Sequence, residues 1–117
     1  MAYNTNNVFA KILRGEIPCT KLYEDEFALA FPDIAPQAPS HVVVIPKGQF
    51  VSFADFMANA SAPEIQGFFA AVNVVAAQQG LQHFRLITNN GEEAGQSVHH
   101  FHVHILGGAP LGELLVR

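Results

Sequence analysis

The stretch His99-His100-Phe101-His102-Val103-His104-Ile105-Leu106 decides how this chain folds. From His100 to Ile105 imidazole and apolar side chains alternate without a break, and a period of two is the mark of a strand with one face packed and the other free. The expectation is a strand over 99–106 that carries three imidazoles on one side and Phe101, Val103 and Ile105 on the other. Working outward, FRLITNN (84–90) reads as a strand and NGEEAGQS (90–97) as the polar loop between the two. Before them, Ser61-Ala62-Pro63-Glu64 fits a capping box, and Ile65, Phe68, Phe69, Val72, Val75 and Ala76 form a stripe at helical spacing. That helix should stop at Gly80. HVVVIP (41–46) reads as a buried strand, because three valines and an isoleucine are stiff at χ1 and favour an extended backbone. KLYEDE (21–26) and FALAFPDI (27–34) suit a hairpin, and VFAKILRG (8–15) a short helix capped by Asn6 or Asn7 and stopped by Gly15. Five strands, mostly in hairpin order, with two helices give an α+β fold: an antiparallel sheet with the long helix on one face.

The chain has 117 residues, no repeat and no long linker, so one domain over 1–117 is expected. Half of its residues are apolar and 14% are charged, too apolar a mixture for a disordered chain. Turn residues interrupt it too often for a membrane span. Six basic against ten acidic side chains leave a net charge of −4, which argues against binding along a nucleic-acid backbone. Phosphate, if bound, must be held by local groups. Cys19 is the single cysteine, so an intrachain disulfide and a cysteine-based zinc site are both excluded. That and an N-terminus without a basic-then-apolar leader lead to the expectation of a cytoplasmic protein.

Neighbours on one face of a strand stand roughly 7 Å apart, which lets one imidazole attack while those beside it reach a bound anion. Two other readings compete. Surface histidines on the solvent side of a sheet are ordinary one at a time, but three in alternation repel when protonated and are poor strand formers. A His-x-His pair on a strand can also supply two zinc ligands, with Asp33 or His41 completing the set.

GQSVHHFHVHILGG (95–108) resembles the His-x-His-x-His signature of the histidine-triad (HIT) nucleotide-binding family, and its Gly107-Gly108 is similar to the Hint branch. VFAKILRGEIPCTKLYEDE (8–26), FPDIAPQAPSHVVVIPK (31–47) and the 88–97 loop resemble the family's pattern in the same order. The resemblance implies a five-stranded antiparallel sheet per subunit and a homodimer that joins two sheets into one of ten strands. It places the nucleophile on His102, attacking an α-phosphorus to form a nucleotidyl-histidine. It puts the phosphate-contacting histidine on His104 and a hydrogen-bond relay on His100 and His41, without deciding which histidine is the general acid. Ser97 falls near the leaving group, Asn89 on phosphate or ribose, and Asp33 on the ribose hydroxyls; Gln96 and Val98 join the nucleotide contacts. Phe9, Ile12, Phe31, Ile34 and Val43 match the base pocket, although each alone is better explained as core. No cofactor or metal is implied, because the Cys-x-x-Cys by which some members bind structural zinc falls on Asn7 and Ala10. Two further departures are His99, read as structural on the packed face, and an ending at LGELLVR without the long tail of Hint proteins. The implied activity is cleavage of purine nucleoside 5′-phosphoramidates or aminoacyl-adenylates (AMP or GMP conjugates). Hydrolysis of dinucleoside polyphosphates, and a nucleotide-binding regulator with vestigial catalysis, are the alternatives.

Overall fold

The computed structural model describes residues 2–115. Helix α1 (Val8–Leu13) starts where the Asn7 side chain accepts a hydrogen bond from the Ala10 amide, and the chain leaves it through Gly15 at φ +77°. Strands β1 (Tyr23–Glu24) and β2 (Ala28–Pro32) form the expected hairpin, and β3 (Ser40–Pro46) is the valine-rich strand. Helix α2 (Phe53–Asn59) precedes α3 (Ala62–Gln78), whose Ser61–Glu64 capping box is fully formed. Strand β4 (Phe84–Ile87), a 3₁₀ turn at Glu92–Ala94 and β5 (Val103–Gly107) complete the fold.

All pairings are antiparallel, in the order β1-β2-β3-β5-β4. The sheet is apolar on both sides, which is why β2 and β3 read as continuous apolar runs. Ala28, Ala30, Val42, Val44, Val103 and Ile105 face α3, packing on Phe68, Val72 and Val75. Leu29, Phe31, Val43 and Ile45 face the other way and are covered by Ile12 of α1. His41 and His104 lie on this second side, alternating with the residues that face α3.

Two expectations need correction. There are three α-helices among the described residues, not two: α2 is capped by Ser52 and buries Phe56, whose ring stacks on Phe101 at 4.8 Å. The histidine strand also starts later than its alternation suggests, at Val103. The register that pairs Val44 with Val103 would bring Phe101 opposite Pro46, which has no N–H to extend the ladder. The Phe101 amide bonds the Phe50 carbonyl instead, at 2.8 Å, and the alternation of faces continues through residues 100–102 outside the strand proper.

Candidate active site

The three imidazoles lie on the α1 side of the sheet. The rings of His102 and His104 are 5.0 Å apart between centroids, and Phe9 of α1 stands edge-on to His102, also at 5.0 Å. Phe101, on the opposite side, is fully buried under α2 and α3.

Hydrogen-bond partners fix how each neutral ring carries its proton. His102 Nδ1 is 2.8 Å from the His100 carbonyl, which only accepts, so Nδ1 bears the hydrogen and Nε2 keeps a free lone pair. His100 Nε2 is 3.0 Å from the Pro46 carbonyl and donates to it, which leaves Nδ1 to accept from the Tyr3 hydroxyl at 2.6 Å. His41 Nδ1 accepts from the Gln37 amide at 3.0 Å, so its Nε2 donates to His104 Nδ1 at 2.9 Å. His104 therefore carries its own proton on Nε2. The result is an unprotonated Nε2 on His102 beside a protonated Nε2 on His104: a free lone pair next to a hydrogen-bond donor.

Burial supports these neutral forms. Loss of hydration pushes His100 and His104 each down to about 4, with neighbouring imidazoles adding to the effect, and it lowers His102 below the usual histidine value. Asp33 approaches the pair, with Oδ2 at 3.4 Å from His41 Nε2 and 3.7 Å from His104 Nδ1. Asp33, His41 and His104 could in principle surround a cation, their donor atoms lying within 4.8 Å of one another. The donor chemistry does not fit. With Nδ1 occupied by the Gln37 amide, His41 Nε2 holds a hydrogen rather than a lone pair, and His104 Nδ1 is already filled by that hydrogen.

The remaining expected residues divide into those that join the imidazoles and those that do not. Phe9 does, while Ile12, Phe31 and Val43 are enclosed with Leu29 and Ile45 in the core beneath α1. Ile34 is fully exposed and packs on neither core cluster. Asn89 is half-buried beside Gly95 and Ser97 is exposed in the 88–98 loop. Gln96, expected at the nucleotide, spends its buried amide on the loop. Its Nε2 donates to the carbonyls of Val51 (2.7 Å) and Val98 (3.0 Å), and its Oε1 accepts from the Gly91 amide (2.8 Å). His99 is half-buried rather than packed in the core, 3.5 Å from Glu92 Oε1. Clefts of about 280 Å³, lined by residues such as Asp55, Asn90 and His99, and about 590 Å³, between Gly80–His83 and Gly108–Pro110, include no triad ring. Two contributors carry no mark in the sequence that assigns them to the site: Tyr3 and the backbone amide of Gln37.

The HIT domain model matches residues 14–111. The chain belongs to the HIT family. It is 51% identical to a HIT-like protein of Azospirillum brasilense over 98% of this chain and 96% of that one. It is 40% identical to the purine nucleoside phosphoramidase of Escherichia coli strain K12, covering 94% of this chain and 93% of the relative. Among solved structures, a HIT family hydrolase from Clostridium thermocellum superposes with a TM-score of 0.87 at 40% identity, over 97% of this chain and 99% of that one. HIT membership accounts for the five-stranded antiparallel sheet.

Proposed function

We propose that this HIT protein is a nucleotide hydrolase that cleaves purine nucleoside 5′-phosphoramidates, or the related aminoacyl-adenylates, through a covalent intermediate on His102. The observation that carries this reading is the tautomer of His102, with Nδ1 committed to the His100 carbonyl at 2.8 Å and Nε2 left as a nucleophile. Its lone pair bonds the α-phosphorus while the bond from phosphorus to the leaving amine breaks. The departing electron pair takes a proton from water while the neutral His104 donates a hydrogen bond from Nε2 to the phosphate, and Ser97 assists at the leaving group. Water then displaces the histidine, releasing the nucleoside monophosphate. Asp33 accepts from the ribose hydroxyls, which would draw it away from the His41–His104 pair, and Asn89 contacts phosphate or ribose. Gln96 acts by holding the loop that carries Ser97. The amine as leaving group is favoured by the phosphoramidase of Escherichia coli, a relative that matches nearly end to end. The functional unit of this reading is a homodimer with the two sheets joined edge to edge.

A quench experiment tests the chemistry. Enzyme mixed with an α-³²P-labelled AMP–amine conjugate should yield an acid-labile, base-stable label on the protein. His102→Ala should remove both label and turnover, by about 10⁴-fold or more, while AMP still binds. Turnover without any protein-bound label would sink the covalent route. Faster turnover of a diadenosine polyphosphate than of the amine conjugate would reassign the substrate.

A further inference from the structure

The nucleophile's orientation depends on a carbonyl, and that carbonyl belongs to a residue whose own ring is anchored at both nitrogens. His100 is completely buried and outside the β5 ladder, and the peptide that carries its carbonyl has one backbone tie, the Phe101 amide on the Phe50 carbonyl at 2.8 Å. Its side chain supplies the other two ties: Nε2 on the Pro46 carbonyl at 3.0 Å and Nδ1 on the Tyr3 hydroxyl at 2.6 Å. Tyr3 also stands edge-on to the ring, with centroids 5.6 Å apart. It reaches across from the other end of the chain on an arm that is itself tied down. The Asn6 amide bonds Asn4 Oδ1, Asn7 Nδ2 bonds the Asn4 carbonyl, and Arg14 Nη1 bonds the Thr5 carbonyl at 2.7 Å.

We propose that Tyr3 is a positioning residue for His102: its hydroxyl, donated to His100 Nδ1, together with the Phe101–Phe50 backbone bond fixes the peptide carbonyl that orients the attacking ring. The chain of contacts runs from Tyr3 Oη to His100 Nδ1, through the His100 residue to its carbonyl, and on to His102 Nδ1 at 2.8 Å. Every other acceptor and donor on this path is already used. Without the hydroxyl, the buried Nδ1 lone pair has no donor, and the ring must shift, admit water or change tautomer. A change of tautomer would point a lone pair at the Pro46 carbonyl, so the Pro46 contact fails with it. Each of these loosens the residue whose carbonyl orients His102, leaving the Phe101–Phe50 bond as its backbone tie, and small misplacements of a nucleophile are costly to the rate.

This inference rests on the nucleotidyl-transfer reading, and its test separates the two. Tyr3→Phe keeps the ring and its packing and removes only the donated proton. Label formation on His102 in a single turnover should fall about tenfold, with AMP affinity changed by less than about twofold. In ¹⁵N-histidine spectra the hydrogen-bonded Nδ1–H signal of His102 should shift or exchange faster. Tyr3→Ala should be at least as slow. An unchanged rate overturns the proposal, as does a slower rate with an unmoved His102 signal, or a loss of thermal stability alone. If the wild-type protein forms no label, the reaction reading falls, and the His102 spectra alone decide whether Tyr3 positions the ring.

Discussion

Each triad ring is neutral for the same reason: leaving water costs an imidazolium more than it costs an imidazole. For His100 and His104, both brought down to about 4 by burial, the consequence for stability has a definite sign. Between about pH 4 and 6.5 the unfolded chain binds protons at these positions that the folded chain does not, so stability rises with pH across that window. Acidification from 6.5 towards 4 should therefore destabilise the protein, on the order of 3 kcal/mol from fully buried His100 alone. Urea titrations at pH 7.5, 5.5 and 4.5 would read this, and a flat profile would contradict buried neutral rings. The rate should follow the attacking group. Because burial lowers His102 below its usual value, the acid limb of kcat/KM should have its midpoint below pH 6.5, with no loss between pH 7 and 8.

At the scale of elements, the 88–98 loop is tied at three points by one buried amide, beside the Ala54 amide donating to Asn90 Oδ1 and Thr88 Oγ1 donating to the His102 carbonyl. Gln96 ties Val51, Gly91 and Val98 together, and Gln96→Ala would leave two carbonyls and an N–H without partners. The expected cost is about 2 to 4 kcal/mol in urea unfolding at an unchanged m value, with kcat reduced through a displaced Ser97. A substitution neutral in both measurements would show that the loop is held by other means. The same loop marks the limit of what the sequence reveals. A capping box and a continuous apolar stripe declare α3, and stiff β-branched side chains declare β3. Helix α2 has Ser52 as cap and Phe53, Phe56 and Met57 at helical spacing, but seven residues are too few for periodicity to stand out from a loop. In the site, alternation reveals which histidines share a face. It cannot reveal their tautomers, because the deciding partners are the Pro46 and His100 carbonyls, the Gln37 amide and Tyr3. Backbone groups carry no sequence signature, and Tyr3 lies 97 positions from the ring it contacts.

At the scale of the whole molecule, the sheet ends in two unlike edges. Strand β1 is two residues long and charged, with Glu24 bonded to Lys21 and Lys47, the usual means by which an edge discourages pairing. Strand β4 is longer and pairs only with β5, and it presents Phe84 and Leu86, both more than a third exposed, on the side facing α3. Helix α3 adds exposed Val74. An edge that exposes Phe84 and Leu86 on one face, its Arg85 engaged with the Gly112 and Glu113 carbonyls, suits a two-fold contact through β4, since the same residues then meet their copies across the axis. Light scattering should therefore give twice the 12.7 kDa of one chain. Leu86→Lys would bring two like charges near that axis and should shift the protein to monomer at micromolar concentration, without unfolding it, because Leu86 is half-exposed in the single chain. A wild-type protein that scatters as a monomer would rule out the ten-stranded sheet. A Leu86→Lys protein that remains dimeric would move the interface away from β4.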